Sequence, residues 1–131
     1  METKSFETAK VFNFANEVNY SENGIVSKRI LEKKAGNVSL FAFDKGQSLS
    51  EHTAPFDAIL QVLQGKAEII INKNPFILIA GESIILPANI THAVNAIEQF
   101  KMLLTMIKES AWFKVPKVFR VLIVKKECTD L

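Results

Sequence analysis

The chain has 131 residues, of which 48% are hydrophobic, and a formal net charge of +2. That length suits one domain with a real core and is short for two. The apolar fraction excludes disorder, and no apolar run is long enough to span a bilayer. Residues 1–107 carry a net charge of −1 and residues 108–131 carry +3. The basic balance therefore sits in the tail, and the body has no basic stripe interleaved with aromatics for nucleic acid.

In chain order, the N-terminus "METKSFETAK" has no apolar core of a secretory signal. Together with a single cysteine, Cys128, this predicts a protein of the reducing cytosol. The terminal position of Cys128 argues against a pocket nucleophile. "FETAKVFNFANEV" reads as a helical turn or lead-in strand, and "NEVNYSENG" as loop. Short runs of strand character follow: 25–34, 37–46, 57–65, 66–74, 76–81, 83–89, 92–97 and 99–108. β-Branched and aromatic residues fill the runs, while Gly, Asn and Pro sit between them. No helix-period segment separates them, so an all-β sandwich or barrel is expected. Residues 109–131 differ: Pro116 breaks them, and "VFRVLIV" is apolar except for Arg120. An extra edge strand or packing arm, a short helix, or a partner-docking segment would each suit this tail.

Two stretches carry the candidate chemistry. In "GQSLSEHTAPFDAILQVLQG", residues 46–65, Gly46 is followed by five residues and then His52, and Gly65 closes the stretch. In the second, Gly81 is followed by "ESIIL" and then Pro87, with His92 five residues later. These are the only two histidines of the chain. From Gly36 to Ile107 the sequence resembles the cupin family. Its motifs run Gly, five residues, His-x-His, three or four residues, Glu, six residues, Gly, and then Gly, five residues, Pro-x-Gly, two residues, His, three residues, Asn. It resembles in particular small single-domain cupins reading "SEHTAPFDA" and "FKMLLTMI". The resemblance implies an RmlC-like jelly roll, a double-stranded β-helix barrel over 36–108. Residues 1–35 would then be an N-terminal segment with dimer-contact strands, and 109–131 an atypical tail.

The departures from those motifs bear on function. Where the family has its second His and its Glu, this chain has Ala54 and Ala58; the middle Gly of the second motif is Asn89, and the final Asn falls on Ala96. Of the four metal-ligand positions that the resemblance implies, His52 and His92 remain. Mononuclear iron or manganese centres and catalytic zinc sites generally use three protein ligands. Asp57 and Glu51 lie one place off the lost or kept positions, so strand alternation turns them to the opposite face. The metal expectation is therefore a weakly held divalent ion (Fe, Mn, Ni or Zn) at His52 and His92.

Ala54 and Ala58 free space inside the barrel, and Phe41, Phe43, Leu60, Val62, Met102, Leu104 and Met106 are candidates to line it. Each of these apolar residues singly also suits plain core packing. The expected function is binding of a small, mostly apolar molecule near His52 and His92. The alternatives are a metal-dependent enzyme of the dioxygenase, isomerase or decarboxylase type, and a structural or regulatory dimer acting through its tail. A metal-free route with His52 as base, as in some cupin-like sugar epimerases, lacks an identifiable orienting carboxylate. A homodimer is expected because open barrels leave edge strands, and residues 6–34 are a candidate for exchange.

Overall fold

The computed structural model describes residues 6–108. The N-terminal calls for residues 1–5, and those for "VFRVLIV", Cys128 and the rest of 109–131, lie outside the described residues. A single 3-10 turn, Phe14–Asn16, is capped by the Asn13 side chain, which accepts from the Ala15 amide at 3.0 Å. Among the described residues nine strands follow: β1 (Ile25–Lys33), β2 (Gly36–Phe43), β3 (Ser48–His52), β4 (Asp57–Gln64), β5 (Lys66–Ile71), β6 (Asn74–Ile79), β7 (Ser83–Leu86), β8 (His92–Ala96) and β9 (Phe100–Ile107). They form two antiparallel sheets, a five-stranded one in the order β1-β2-β9-β4-β7 and a four-stranded one in the order β3-β8-β5-β6. The all-β jelly-roll expectation thus holds.

Period-two alternation assigns the faces. Ala58, Leu60 and Val62 of β4 point inward, beside Met106, Leu104 and Met102 of β9. Ala67, Ile69 and Ile71 of β5 face them from the other sheet, with Ala96 and Val94 of β8. The closed end of the sandwich is held by Phe43 stacked on Phe100, ring centroids 4.5 Å apart. Both rings are fully buried. Each contributes roughly 1.5–3 kcal/mol by leaving water.

Turn chemistry fits the sequence. Asn72 and Lys73 both have positive φ, which is what a tight two-residue hairpin between β5 and β6 requires. Gly65 has a φ of +84°, and a Cβ there would collide with the Gln99 carbonyl and Phe100. Only glycine lets β4 and β9 approach so closely at that corner.

The outer face of the five-stranded sheet is partly covered by the chain's own N-terminal segment. Phe6, Phe14, Val18 and Tyr20 pack on Ile30, Leu40, Ala42, Leu63 and Leu103. The Gln64 amide donates to the Tyr20 hydroxyl at 2.6 Å, and the buried Lys101 ammonium donates to the Ala15 carbonyl at 2.5 Å. The lead-in segment is therefore fastened to its own sheet. Beyond its reach, Ile59, Ile85 and Ile107 stay exposed on the same outer face.

Candidate functional site

The inner face is not filled evenly. Along β9, Phe100 and Met102 are buried, whereas Leu104 and Met106 are only partly so. Along β2, Phe43 is buried and Phe41 is only partly buried. The sandwich is solid at the Phe43–Phe100 end and opens toward the Ala58–Met106 end. His52 and His92 stand at that open end. They are direct cross-strand partners in β3 and β8, and their ring centroids are 4.2 Å apart in an edge-to-face arrangement.

A bulge puts His52 there. Leu49 pairs with Val94 and His52 pairs with His92, so Ser50 and Glu51 together oppose Ala93 alone. Without the extra residue, alternation from Leu49 would turn Glu51 inward and His52 outward. With it, Glu51 faces solvent, where both of its carboxylate oxygens accept from the Lys73 ammonium at 2.6 and 2.7 Å. Asp57 also points away, its carboxylate accepting from the Ala88 amide at 2.8 Å.

The second motif is held against the first. Asn89, at the position where the resembled motif has glycine, adopts φ +63° and its amide donates to the Ala54 carbonyl at 2.7 Å. Asparagine is the residue after glycine that best tolerates this left-handed conformation. The substitution thus keeps the turn that delivers His92. Asn95 lies on the outer side of β8, where its amide donates to Glu68 at 3.0 Å, and Ala96 is in the core.

Each imidazole is fixed in the same way. His52 Nδ1 lies 2.7 Å from the Ser50 carbonyl oxygen, and His92 Nδ1 lies 3.4 Å from that of Ile90. A carbonyl only accepts, so a bond to it requires the proton on Nδ1; the 2.7 Å contact favours that tautomer at His52, the longer 3.4 Å contact favours it less strongly at His92, and a neutral ring so held has Nε2 as a bare acceptor. His92 is buried. Burial first, and then the nearby His52, hold its pKa below the ordinary imidazole range, against the opposing bond to Ile90.

The structure separates the expected pocket residues into two groups. His52, His92, Ala58, Leu104 and Met106 share the open end, with Ala54 in the loop after β3 and Phe41 a little deeper. Leu60, Val62 and Met102 are fully or almost fully buried in the packed middle of the core. Phe43 is a correction. Its row, paired with Phe100, lies six residues along β9 from Met106, or about 20 Å away. It closes the far end and cannot line the site.

Two polar residues were missed. Asn37 and Ser39 lie on the same inner face of β2, paired with Met106 and Leu104, and the Asn37 amide contacts the Met106 sulfur at 3.9 Å. The polar-apolar alternation of "NVSLFAF" holds the signal, but period two alone does not say which set is inside.

The donor set does not fit a resident catalytic metal. Among the described residues, no group of three His, Cys, Asp or Glu side chains stands together. His52 and His92 supply two imidazoles, and Ala54 and Ala58 have no donor atoms. A cavity of about 510 Å³ lies under the N-terminal segment between Phe6, Phe12, Asn16 and Lys28. Its basic groups are paired, Lys28 with Glu17 at 3.3 Å and Lys10 with Glu7 at 3.1 Å. Among the described residues no helix is long and apolar enough to cross a membrane.

Comparison with known proteins agrees with this architecture. The sequence model of the Cupin domain family matches residues 39–108. A conserved protein of unknown function from Streptococcus pyogenes is 33% identical, with the match covering 85% of this chain and 97% of that one, at a TM-score of 0.77. A Cupin 2 conserved barrel domain protein from Leptotrichia buccalis is 46% identical over 74% of this chain, at a TM-score of 0.72. The match covers 47% of that longer protein. A cupin superfamily protein from Desulfitobacterium hafniense is 26% identical over 83% of this chain and all of its own length, at a TM-score of 0.75. No curated protein matches the sequence. The chain belongs to the cupin family.

Proposed function

We propose that this protein binds a small, mostly apolar molecule in the open end of its barrel, with the polar end of that molecule at His52 and His92. One observation carries the reading. The inner face is solid as far as Met102 and then stands open from Leu104 and Met106 to a histidine pair. A concave apolar wall with a few convergent polar groups is the usual make-up of a small-molecule site. Turnover has less support. His52 Nδ1 is held by a carbonyl rather than a carboxylate, so the imidazolium that a general base would become has no adjacent counter-charge. Two imidazoles leave a divalent ion short of the usual three protein ligands.

The reading includes a cytosolic homodimer. Its support is the lone cysteine and the patch of Ile59, Ile85 and Ile107, exposed among the described residues, beside β7 at the end of the strand order.

The test is methyl NMR with toluene as an apolar probe, on the parent protein and on Leu104→Trp, which fills the open end. Toluene is expected to shift the Leu104 and Met106 methyl signals of the parent, and its binding is expected to be lost in Leu104→Trp. Toluene binding equally well to both proteins, or failing to move those methyls in the parent, sinks the reading.

A further inference from the structure

The way the histidines are fastened narrows the chemistry of what they would hold. Both use the same device: the Nδ1–H of each ring is spent on the main-chain carbonyl two residues back, Ser50 or Ile90. Each neutral ring then offers the site a single polar atom, Nε2, with a lone pair and no proton. The two rings touch edge to face at 4.2 Å, so protonating both would place two like charges side by side. Burial and the neighbouring ring both act to keep His92 neutral.

Ala54 and Ala58 stand where a second imidazole and a carboxylate would be expected, and Asn37 and Ser39 on the facing strand are uncharged. Most of the nearby charged groups among the described residues have polar partners of their own, including Arg29, the cross-strand neighbour of Ser39. Glu51 is held by Lys73 at 2.6 Å, Asp57 takes the Ala88 amide at 2.8 Å, and Arg29 pairs with Glu32 at 3.0 Å. The Lys108 ammonium sits over the Phe56 ring, 5.6 Å from its centroid.

We infer that the ligand class of this site is an uncharged hydrogen-bond donor, an alcohol or phenol hydroxyl on an apolar body, which His52 and His92 accept through Nε2. The inference rests on the binding reading above. A carboxylate would meet two lone pairs and no donor from the rings. An ether or ketone would leave both Nε2 atoms without a donor; His52 is exposed and can turn to water, but for the buried His92 a desolvated acceptor without a partner is costly. A hydroxyl satisfies one ring outright, and the T-shaped contact keeps the second beside it.

The experiment compares three probes of nearly equal size at pH 8: benzyl alcohol, benzyl methyl ether and benzoate. Affinities are read from the same Leu104 and Met106 methyls. The tautomers are read directly from the imidazole nitrogen-15 shifts of the free protein. Benzyl alcohol is expected to bind about tenfold or more tightly than either of the others, with both rings in the Nδ1–H form. In His92→Phe the preference for the alcohol over the ether is expected to shrink while toluene still binds. Benzoate or the ether binding as well as the alcohol overturns the inference, and so does an Nε2–H tautomer in both rings. If toluene binds and the alcohol shows no preference, the pocket stands and the ligand class falls. If none of the four probes moves the methyls, the pocket reading fails and the inference fails with it. The tautomer readout needs no variant, so a His92→Phe protein that does not fold leaves the test intact.

Discussion

The Asn89 amide donates a hydrogen bond to the Ala54 carbonyl at 2.7 Å, with Asn89 in the left-handed region at φ +63°. This one bond ties the loop after β3 to the loop before β8, and those loops adjoin His52 at the end of β3 and His92 at the start of β8. Asn89→Gly is expected to keep or slightly raise stability. Asn89→Val is expected to lower it by about 1–2 kcal/mol, because a β-branched residue is strained at that φ. Urea denaturation of the two variants, with the His52 and His92 ring signals as a local reporter, checks both outcomes.

Gly65 gives a second backbone prediction. A Cβ there meets the Gln99 carbonyl and Phe100, at a φ of +84°. Gly65→Ala is expected to destabilise by more than about 1 kcal/mol. Gly46, with φ +82° and open space around it, is expected to lose less on the same change. Chemical denaturation midpoints of the two alanine variants give the comparison, and equal losses would contradict the crowding argument.

The pKa of His92 is lowered in the fold, by burial first and His52 second. In the unfolded chain it returns to the ordinary imidazole value of about 6.5. Between those two values the unfolded state binds more protons, so stability falls as pH falls. The contribution is fully present above about pH 6.5 and is lost as pH drops through the folded value. Denaturation midpoints measured from pH 8 to pH 5 are expected to decline, and the decline is expected to flatten in His92→Gln. An unchanged slope in that variant would show that other groups set the pH dependence.

Metal binding is expected to respond to the missing ligands. The parent protein, dialysed without chelator, is expected to hold well under one equivalent of iron, manganese, nickel or zinc by plasma mass spectrometry. Ala54→His with Ala58→Glu restores an imidazole and a carboxylate beside the pair, and Ala58 already faces inward next to Met106. That double variant is expected to retain a divalent ion through the same dialysis. One tightly held equivalent in the parent, lost in His52→Ala, would instead return the metalloenzyme reading to the lead.

Sedimentation addresses assembly. The exposed Ile59, Ile85 and Ile107 are neighbours across β4, β7 and β9. A dimer at micromolar concentration is expected, and Ile85→Glu is expected to shift it toward monomer. A stable monomeric parent ends the dimer proposal.

The sequence by itself determined the turns, the barrel frame and every described strand except β3 (Ser48–His52), which carries His52. These are local matters: alternation of β-branched and aromatic residues, glycine at corners such as Gly65 that no Cβ can occupy, and Asn89 as a workable stand-in for glycine. The spacing also located His52 and His92 as the polar pair of interest, and alternation turned Asp57 away as expected. Tertiary structure decided which residues share the site. The β3 bulge reverses the alternation between Leu49 and His52, turning His52 inward and Glu51 out to Lys73. A one-residue irregularity of pairing leaves no mark in the spacing of a single strand, because it exists only relative to β8. The register of β2 on β9 likewise brought Asn37 and Ser39 to the inner face and put Phe43 at the closed end. Period two sorts a strand into two faces; only the partner strand and the facing sheet say which face is buried and how far along it the barrel opens.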